Sequence, residues 1–97
     1  MQLRLSRLAQ GDLADIRDHT LENHGAAQAA AYLEGIEVLF RRLVDHPSIG
    51  AENSDIRPDV RSLPFQRHRI YYRVDGESIV VIRVLHQSMD AGRWIGG

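Results

Sequence analysis

The segment RHRIYYRVDGESIVVIRVLH, residues 67–86, decides the predicted fold of this chain. Its two halves, 67–74 and 78–86, are rich in β-branched and aromatic residues and are separated by Asp75-Gly76. An Asp-Gly pair between such runs is a strong signal for a β-hairpin. Because VRSLPF at 60–65 also has the composition of a strand, three strands are predicted in the C-terminal part of the chain.

The register of this hairpin decides which side chains share a face of the sheet. We expect a three-residue loop, Val74 to Gly76, with the glycine in the left-handed position of a bulge, rather than a two-residue turn. One face of the sheet is then apolar and contains Ile70, Tyr72, Val80, Ile82 and Val84. The other face contains Arg67, Arg69, Tyr71 and Arg73 beside Ile79, Val81, Arg83 and Leu85. In this register Arg73 pairs with Glu77, and Arg67 lies opposite Arg83.

Two helices are predicted before these strands. The residues LRLS at 3–6 alternate as in a short strand, and Ser6 can cap a helix that begins at about Arg7. Gly25 separates this helix from a second one at about 26–46, whose apolar residues form one broad stripe. Pro47 ends the second helix, because proline cannot continue it.

The order β-α-α-β-β-β predicts an α+β fold in which a helical hairpin packs on one face of an antiparallel sheet. A chain of 97 residues can form one modest core, so 1–97 is expected to be a single domain. Residues 47–59 are predicted to be an irregular connection, and 87–97 a tail in which fraying is expected.

The composition excludes several classes of protein. The chain has no cysteine, which removes disulfide scaffolds, thiolate zinc sites and cysteine nucleophiles. Its apolar runs are far shorter than the ~20 residues that span a bilayer, and the N-terminus lacks an export signal. The histidines do not have the spacing of a metal-ligand cluster. We therefore expect a cytoplasmic protein that needs no metal or cofactor and does not contact membranes.

The basic residues are unusual because all twelve are arginine and none is lysine. Residues 1–55 contain five arginines against nine acidic residues, whereas residues 56–97 contain seven against four. An arginine-rich sheet face with Tyr71 between the arginines suits either RNA or an acidic amphipathic peptide. The alternative is a solvated face whose arginines pair with acidic residues of the first helix.

The C-terminal segment contains the other candidate residues. His86 and Asp90, four residues apart, could form an acid-base pair or close the polar end of the sheet. Trp94 follows Arg93 and either folds back onto the domain or is offered to a partner. His68 is expected to be structural and to lie several residues from His86 along the hairpin.

Four stretches of the sequence resemble a known family. They are RLS at 4–6 followed by A..DL.DI at 9–16, AAAYLEGIEVLFRRLVDHPSIG at 29–50, DIRPDVRSLPF at 55–65 and HRIYYRVDGESIVVIRVLHQSMDA at 68–91. Together they cover nearly the whole chain and resemble the ParE toxins of the RelE/ParE superfamily, with VLHQSMD at 84–90 as the most specific part. The resemblance implies the toxin of a type II toxin-antitoxin module and a ParD-like antitoxin whose C-terminal segment wraps and neutralises it.

Two activities divide that superfamily. RelE-type toxins cut messenger RNA on the ribosome, whereas ParE-type toxins poison DNA gyrase so that its double-strand breaks persist. RNA cleavage needs a base, and arginine, with a pKa above ~12, stays charged and cannot be one. In a chain without lysine only Tyr71, His68, His86, Glu77 or Asp90 could serve, and these do not match the RelE set. We therefore expect a gyrase-directed binding toxin with no catalytic residues; a RelE-type ribonuclease and a non-toxic antitoxin-binding member are the alternatives.

The expected contact residues fall into two groups. The antitoxin is expected to bind Arg57, Arg61, Arg67, Arg69, Tyr71, Arg73 and Arg83. Gyrase is expected to contact the C-terminal stretch through His86, Asp90, Arg93 and Trp94. No direct sequence-specific binding to DNA is expected.

Overall fold

The computed structural model describes residues 1–95, which form two long helices, one short helix and five strands. In chain order these are β1 (Gln2–Leu5), α1 (Arg7–His24), α2 (Ala26–Asp45), β2 (Ala51–Glu52), β3 (Arg61–Phe65), β4 (His68–Asp75), β5 (Ser78–His86) and α3 (Ala91–Ile95). The predicted α+β fold is confirmed, and β2 and α3 are additions that the sequence patterns did not indicate. Within residues 1–95 no helix combines the length and the apolar character needed to cross a membrane.

The helical hairpin begins and ends at the predicted residues. The hydroxyl oxygen of Ser6 accepts a hydrogen bond from the Ala9 amide at 3.0 Å, which caps α1. The same hydroxyl donates to the carbonyl oxygen of Ile82 at 2.6 Å and so attaches the start of α1 to β5. Gly25 has a φ of 88°, a conformation that favours glycine, and it lets the chain reverse between the two helices.

The five strands form one sheet in the order β1-β5-β4-β3-β2. β1 runs parallel to β5, and all the other neighbours are antiparallel. The sheet is therefore mixed rather than wholly antiparallel. The sequence of β1 shows that it is a strand, but the alternation of side chains along a strand contains no information about the direction of its neighbour.

The hairpin of β4 and β5 has a different register from the predicted one. Asp75 pairs with Ser78, so the turn is Gly76-Glu77, and Gly76 has the positive φ of 59° that glycine adopts readily. Farther along, Tyr72 pairs with Val81 but Tyr71 pairs with Arg83, which makes Ile82 the extra residue of a β-bulge. The predicted pairing of Arg67 with Arg83 is therefore wrong.

The bulge changes which residues of β5 share a face. Ile79, Val81 and Val84 lie in the core with Ile70 and Tyr72, whereas Ile82 packs with Tyr71 and Leu85 on the opposite side of the sheet. The prediction that Val80 and Ile82 join the helix-covered core is wrong. A bulge adds one residue to one strand and reverses the alternation beyond it, and no residue type in SIVVIRVLH marks its position.

The main core lies between the sheet and the helices. The helices contribute Ala9 and Ile16 of α1 and, from the predicted apolar stripe of α2, Ile36, Phe40 and Leu43. Tyr72 is fully buried there, and its hydroxyl donates to the Pro47 carbonyl oxygen at 2.7 Å and accepts from the Gly50 amide at 2.8 Å. This buried hydroxyl therefore has a partner both as donor and as acceptor, and the two hydrogen bonds fix the loop after α2 against the sheet.

Candidate functional site

The face of the sheet that points away from α1 and α2, called here the open face, is partly covered by the protein itself. Tyr71 is only 8% exposed and clusters with Val60 and Leu85. Side chains from the loop before β3 and from the C-terminal segment pack over this cluster: Ile56, Met89, Ala91 and Ile95. Burial raises the pKa of the Tyr71 hydroxyl. Tyr71 is therefore a core residue of this face, and the prediction that it is a surface residue between the arginines is wrong.

Arg83 is not on the open surface either. Its Nε donates to Oδ2 of Asp12 at 2.9 Å, and a terminal nitrogen donates to Oδ1 at 2.7 Å. Oδ2 also accepts from the Val84 amide at 2.9 Å, beside the bulge. Both side chains are nearly buried, at 11% and 12% exposed, and the hydrogen bonds that Arg83 donates to Asp12 raise the pKa of Arg83. Arg83 is thus bound to α1 by a bidentate ion pair, and the expectation that it points away from the helices is wrong.

The other predicted antitoxin contacts lie in several places. Arg61 pairs with Tyr72 across the strands and so lies on the helix-covered side, where it donates to the Gly50 carbonyl oxygen at 2.8 Å. Arg69 and Arg73 flank Tyr71 on the open face; Arg69 donates to the Ser62 hydroxyl at 2.8 Å, and Arg73 lies 3.6 Å from Asp75.

Arg57 is exposed in the loop before β3, and Arg67 is exposed in the turn between β3 and β4, where it lines a cleft beside Tyr32 and His68. Four of the seven predicted residues therefore remain accessible: Arg57, Arg69 and Arg73 on or beside the open face, and Arg67 at the end of the sheet. The other three, Arg61, Tyr71 and Arg83, are withdrawn from the open face.

The C-terminal segment folds back onto the sheet instead of extending from it. Asp90 begins α3: its side chain accepts from the Gly92 amide at 3.1 Å, and its carbonyl oxygen accepts from the Arg93 and Trp94 amides. His86 interacts with Ser88, whose hydroxyl lies 2.7 Å from Nδ1. In the described part of the chain no hydrogen bond or ion pair joins His86 to Asp90, so the proposed acid-base pair does not form.

Trp94 belongs to a segment that folds back onto the domain, yet its side chain is still accessible to a partner. The α3 segment is packed on the domain, but the Trp94 side chain stays 49% exposed. Its ring lies over the guanidinium of Arg83, with 5.8 Å between Cζ and the ring centroid. Beside it runs a groove of about 440 Å³ that is lined by Asp12, Asp15, Ile16, Val84, Met89 and Trp94, among others.

A histidine cluster at the far end of this groove was missed by the sequence analysis. His68 pairs directly with His86, and their ring centroids are 5.4 Å apart. Nδ1 of His68 lies 2.6 Å from the Tyr32 hydroxyl, at the floor of a cleft of about 200 Å³. The predicted register placed the two histidines several residues apart along the hairpin. The observed register, in which they pair, would have revealed the cluster.

The surroundings of His68 and Tyr32 favour the neutral forms of these two side chains. Burial and the nearby His86 lower the pKa of His68, whereas burial raises the pKa of the Tyr32 hydroxyl. Among residues 1–95 no group of three or more His, Asp or Glu side chains is placed to hold a metal ion. The cluster therefore closes the end of the sheet with the Tyr32–His68 hydrogen bond and the contact between the two histidine rings.

A helical hairpin on one face of a five-stranded mixed sheet, with an arginine-bearing second face, defines a small α+β toxin fold of the RelE/ParE kind. Residues 3–91 match the family model described as "ParE toxin of type II toxin-antitoxin system, parDE". The chain is 37% identical over 93 residues to Toxin ParE1 of Caulobacter vibrioides, which covers 96% of each chain. It is 41% identical over 90 residues to Toxin ParE1 of Mycobacterium tuberculosis, which covers 92% of each.

Solved structures show the same fold. The chromosomal ParDE toxin-antitoxin system from P. aeruginosa contains a chain with a TM-score of 0.77 and 27% identity, over 89% of this chain and 95% of that one. The toxin-antitoxin complex RelBE2 from Mycobacterium tuberculosis contains one with a TM-score of 0.64 and 24% identity, over 89% and 96%. The chain belongs to the ParE toxin family of type II toxin-antitoxin systems, which confirms the resemblance found in its sequence.

Proposed function

We propose that this ParE-type toxin acts by binding DNA gyrase, so that cleaved DNA persists, and that a ParD-like antitoxin neutralises it. The observation that carries the proposal is the family match along residues 3–91. The chemistry of the site supports binding over catalysis. The chain has no lysine, Tyr71 is buried in the cluster on the open face, and Nδ1 of His68 is already paired with the Tyr32 hydroxyl.

The activity can be tested with purified toxin, gyrase, ATP and relaxed plasmid. The toxin should inhibit supercoiling and should increase the amount of linear DNA recovered after protein denaturation. Toxin incubated beforehand with the antitoxin is the control and should leave supercoiling intact. Undiminished supercoiling together with ribosome-dependent cleavage of messenger RNA would support the ribonuclease alternative instead. A chain that is harmless when expressed without antitoxin would identify a non-toxic antitoxin-binding member.

The antitoxin is proposed to dock on the accessible arginines of the predicted set, Arg57, Arg67, Arg69 and Arg73. Arg57, Arg69 and Arg73 present guanidinium groups on or beside the open face and Arg67 presents one at the end of the sheet, and an acidic segment would pair with them. Arg83 is removed from the proposed contact set because Asp12 already occupies its guanidinium.

A double charge reversal tests this docking face. Arg69→Glu with Arg73→Glu should weaken antitoxin binding by about a hundredfold or more, because two attractive pairs become repulsive. The matched control is Arg41→Glu with Arg42→Glu, since both of these arginines are exposed on α2. Isothermal titration calorimetry with the antitoxin encoded beside the toxin gene measures both affinities. Equal losses in the two double variants would show that only overall charge matters.

A further inference from the structure

Trp94 is an exposed aromatic side chain held in a defined position. Its ring is about half exposed, while the neighbouring Ala91 and Ile95 pack on the open face and anchor the helix that carries it. A fixed, exposed tryptophan can bury a large area on contact at little entropic cost, which is why this residue is enriched at the centres of interfaces.

The ring is held from below by a side chain that cannot move freely. Arg83 lies under Trp94, and its guanidinium is fixed by the two hydrogen bonds that it donates to one carboxylate, that of Asp12. Asp12 is in turn fixed by the Val84 amide. The contacts thus form a chain from α1 through Arg83 to Trp94, in which Asp12 does not touch the ring itself but sets the position of the group that does.

The charge of the neighbouring groove indicates what can bind there. Its lining contains the carboxylates of Asp12 and Asp15 and the guanidinium of Arg83; the other residues are apolar or aromatic (Ile16, Val84, Met89 and Trp94) or polar (His19, Thr20, His68 and His86). Because Asp12 is paired with Arg83, the carboxylate of the lining that stays exposed is that of Asp15. An acidic segment is repelled by such a groove, whereas an apolar side chain next to a lysine or arginine fits it.

We propose that the Trp94 groove is the contact surface for the toxin's target and not for its antitoxin, and that Asp12 is a positioning residue acting through Arg83. This inference rests on the proposed function: the occupant is a segment of gyrase that presents an apolar side chain beside a basic one. The two partners then bind surfaces of opposite charge. The acidic antitoxin binds Arg57, Arg67, Arg69 and Arg73, and the target binds the groove beside Asp15.

The first test removes the ring or its support. Trp94→Ala should raise the toxin concentration that half-inhibits gyrase by at least about tenfold, the effect of losing a central aromatic contact. Asp12→Asn should raise it by about three- to tenfold, because Arg83 is released but Trp94 remains. Asp18→Asn is the matched control: it removes a carboxylate from the same helix that pairs only with Arg17 at the surface, and it should leave inhibition unchanged.

The second test isolates positioning from folding. Trp94 is the single tryptophan of the chain, so its fluorescence reports on this ring alone. Asp12→Asn should increase the quenching of Trp94 by acrylamide, and Asp18→Asn should not. Both variants should bind the antitoxin with the wild-type affinity, which shows that they are folded. Loss of inhibition in Asp12→Asn without a change in quenching would overturn the positioning role.

The third test addresses the charge of the occupant. Asp15→Lys should raise the toxin concentration that half-inhibits gyrase by about tenfold, because the new lysine in the groove would repel the basic side chain of the gyrase segment. Asp18→Lys makes the same change on the same helix outside the groove and is the control. Equal inhibition by Asp15→Lys and wild type would overturn the proposed occupant, as would a loss of antitoxin binding in Trp94→Ala.

These outcomes separate the inference from the function on which it depends. If the wild-type toxin does not inhibit gyrase, the proposed function fails before any variant is compared. If the wild type inhibits gyrase and Trp94→Ala inhibits it equally well, the function stands and the groove is not the target surface. A Trp94→Ala variant that loses self-association instead would assign the groove to a second copy of the chain and would overturn the proposal.

Discussion

The two faces of the sheet are covered in different ways. On one side two long helices bury a continuous core that contains Ile36, Leu43, Ile70 and Tyr72. On the open face, the side chains that cover Tyr71 and Leu85 come from the loop before β3, from Met89 and from the five-residue helix α3. The stability of the fold therefore comes mainly from the helix-covered face, and the open face is free to carry the accessible arginines and Trp94.

The largest expected effect tests the helix-covered face. Ile70 is fully buried in the main core, so Ile70→Ala should lower the free energy of unfolding by about 3 kcal/mol through lost burial and a residual cavity. Urea denaturation followed by circular dichroism measures the change. Ile70→Val removes a single methyl group and is the control, with an expected cost of about 1 kcal/mol. A loss for Ile70→Ala no greater than that for Met89→Ala would contradict the contrast between the faces.

The next largest effect concerns the close packing of Gly50 against Tyr72 of the helix-covered core. A Cβ at Gly50 would lie 2.6 Å from the Tyr72 ring and hydroxyl and 2.9 Å from the Ser62 carbonyl oxygen. Gly50→Ala should therefore destabilise the protein by about 2 kcal/mol, the usual cost of overpacking. Gly11→Ala is the matched control, because no atom lies within 4 Å of its added Cβ; it should stabilise α1 by up to about 1 kcal/mol. Similar stabilities for the two variants would contradict this packing.

A smaller effect on stability is expected where Met89, just before α3, covers the open face. Met89 is partly buried against Tyr71 and Leu85, so Met89→Ala should cost about 1 kcal/mol or less. Hydrogen exchange should show a more local change than denaturation does: the amides of Arg93 and Trp94, which bond to the Asp90 carbonyl oxygen, should exchange faster in the variant. Unchanged exchange at these amides, with a large global loss of stability, would place Met89 in the main core instead.

The two long helices and the strands β1, β3, β4 and β5 could be predicted from sequence because each has a local signal, whereas β2 and α3 have none. Ser6 caps α1, Gly25 ends it, and the apolar stripe of α2 matches the buried residues. The position of the bulge at Ile82 could not be predicted, since it depends on how β5 fits β4 on one side and β1 and α1 on the other. The turn at Gly76-Glu77 shifts the register by three residues from the predicted one, and the bulge shifts it by one more. Together they bring His68 opposite His86 and place Arg83 beside Asp12.

Residue types alone indicated the composition of the site but not its arrangement. The excess of arginine in the C-terminal half is real, yet Arg61 and Arg83 use their guanidinium groups within the fold, on Gly50 and Asp12. Buried guanidinium groups need such partners, and partners that are distant in sequence leave no local pattern. Trp94 was a candidate because of its position in the chain, whereas its support by Asp12 depends on a contact across 71 residues between Asp12 and Arg83.

The smallest expected effect lies where the two faces meet at the end of the sheet, in the pH dependence of stability. Burial and His86 lower the pKa of His68 below its ordinary value of 6.5, with Asp12 opposing the shift and His19 adding to it. The unfolded chain therefore takes up this proton at a higher pH than the folded chain does. The stability contribution of neutral His68 is fully present above pH 6.5 and is lost as the pH falls through the lower folded-state pKa.

Comparison of wild type with His68→Gln isolates this contribution. The free energy of unfolding of the wild type should fall between pH 7 and pH 5 by more than that of the variant, measured by urea denaturation at each pH. His46→Gln replaces an exposed histidine outside the cleft and should keep the wild-type dependence. If His68→Gln and the wild type lose stability in parallel, protonation of His68 does not oppose folding. The end of the sheet would then tolerate a charge, as the exposed surface does and the helix-covered core does not.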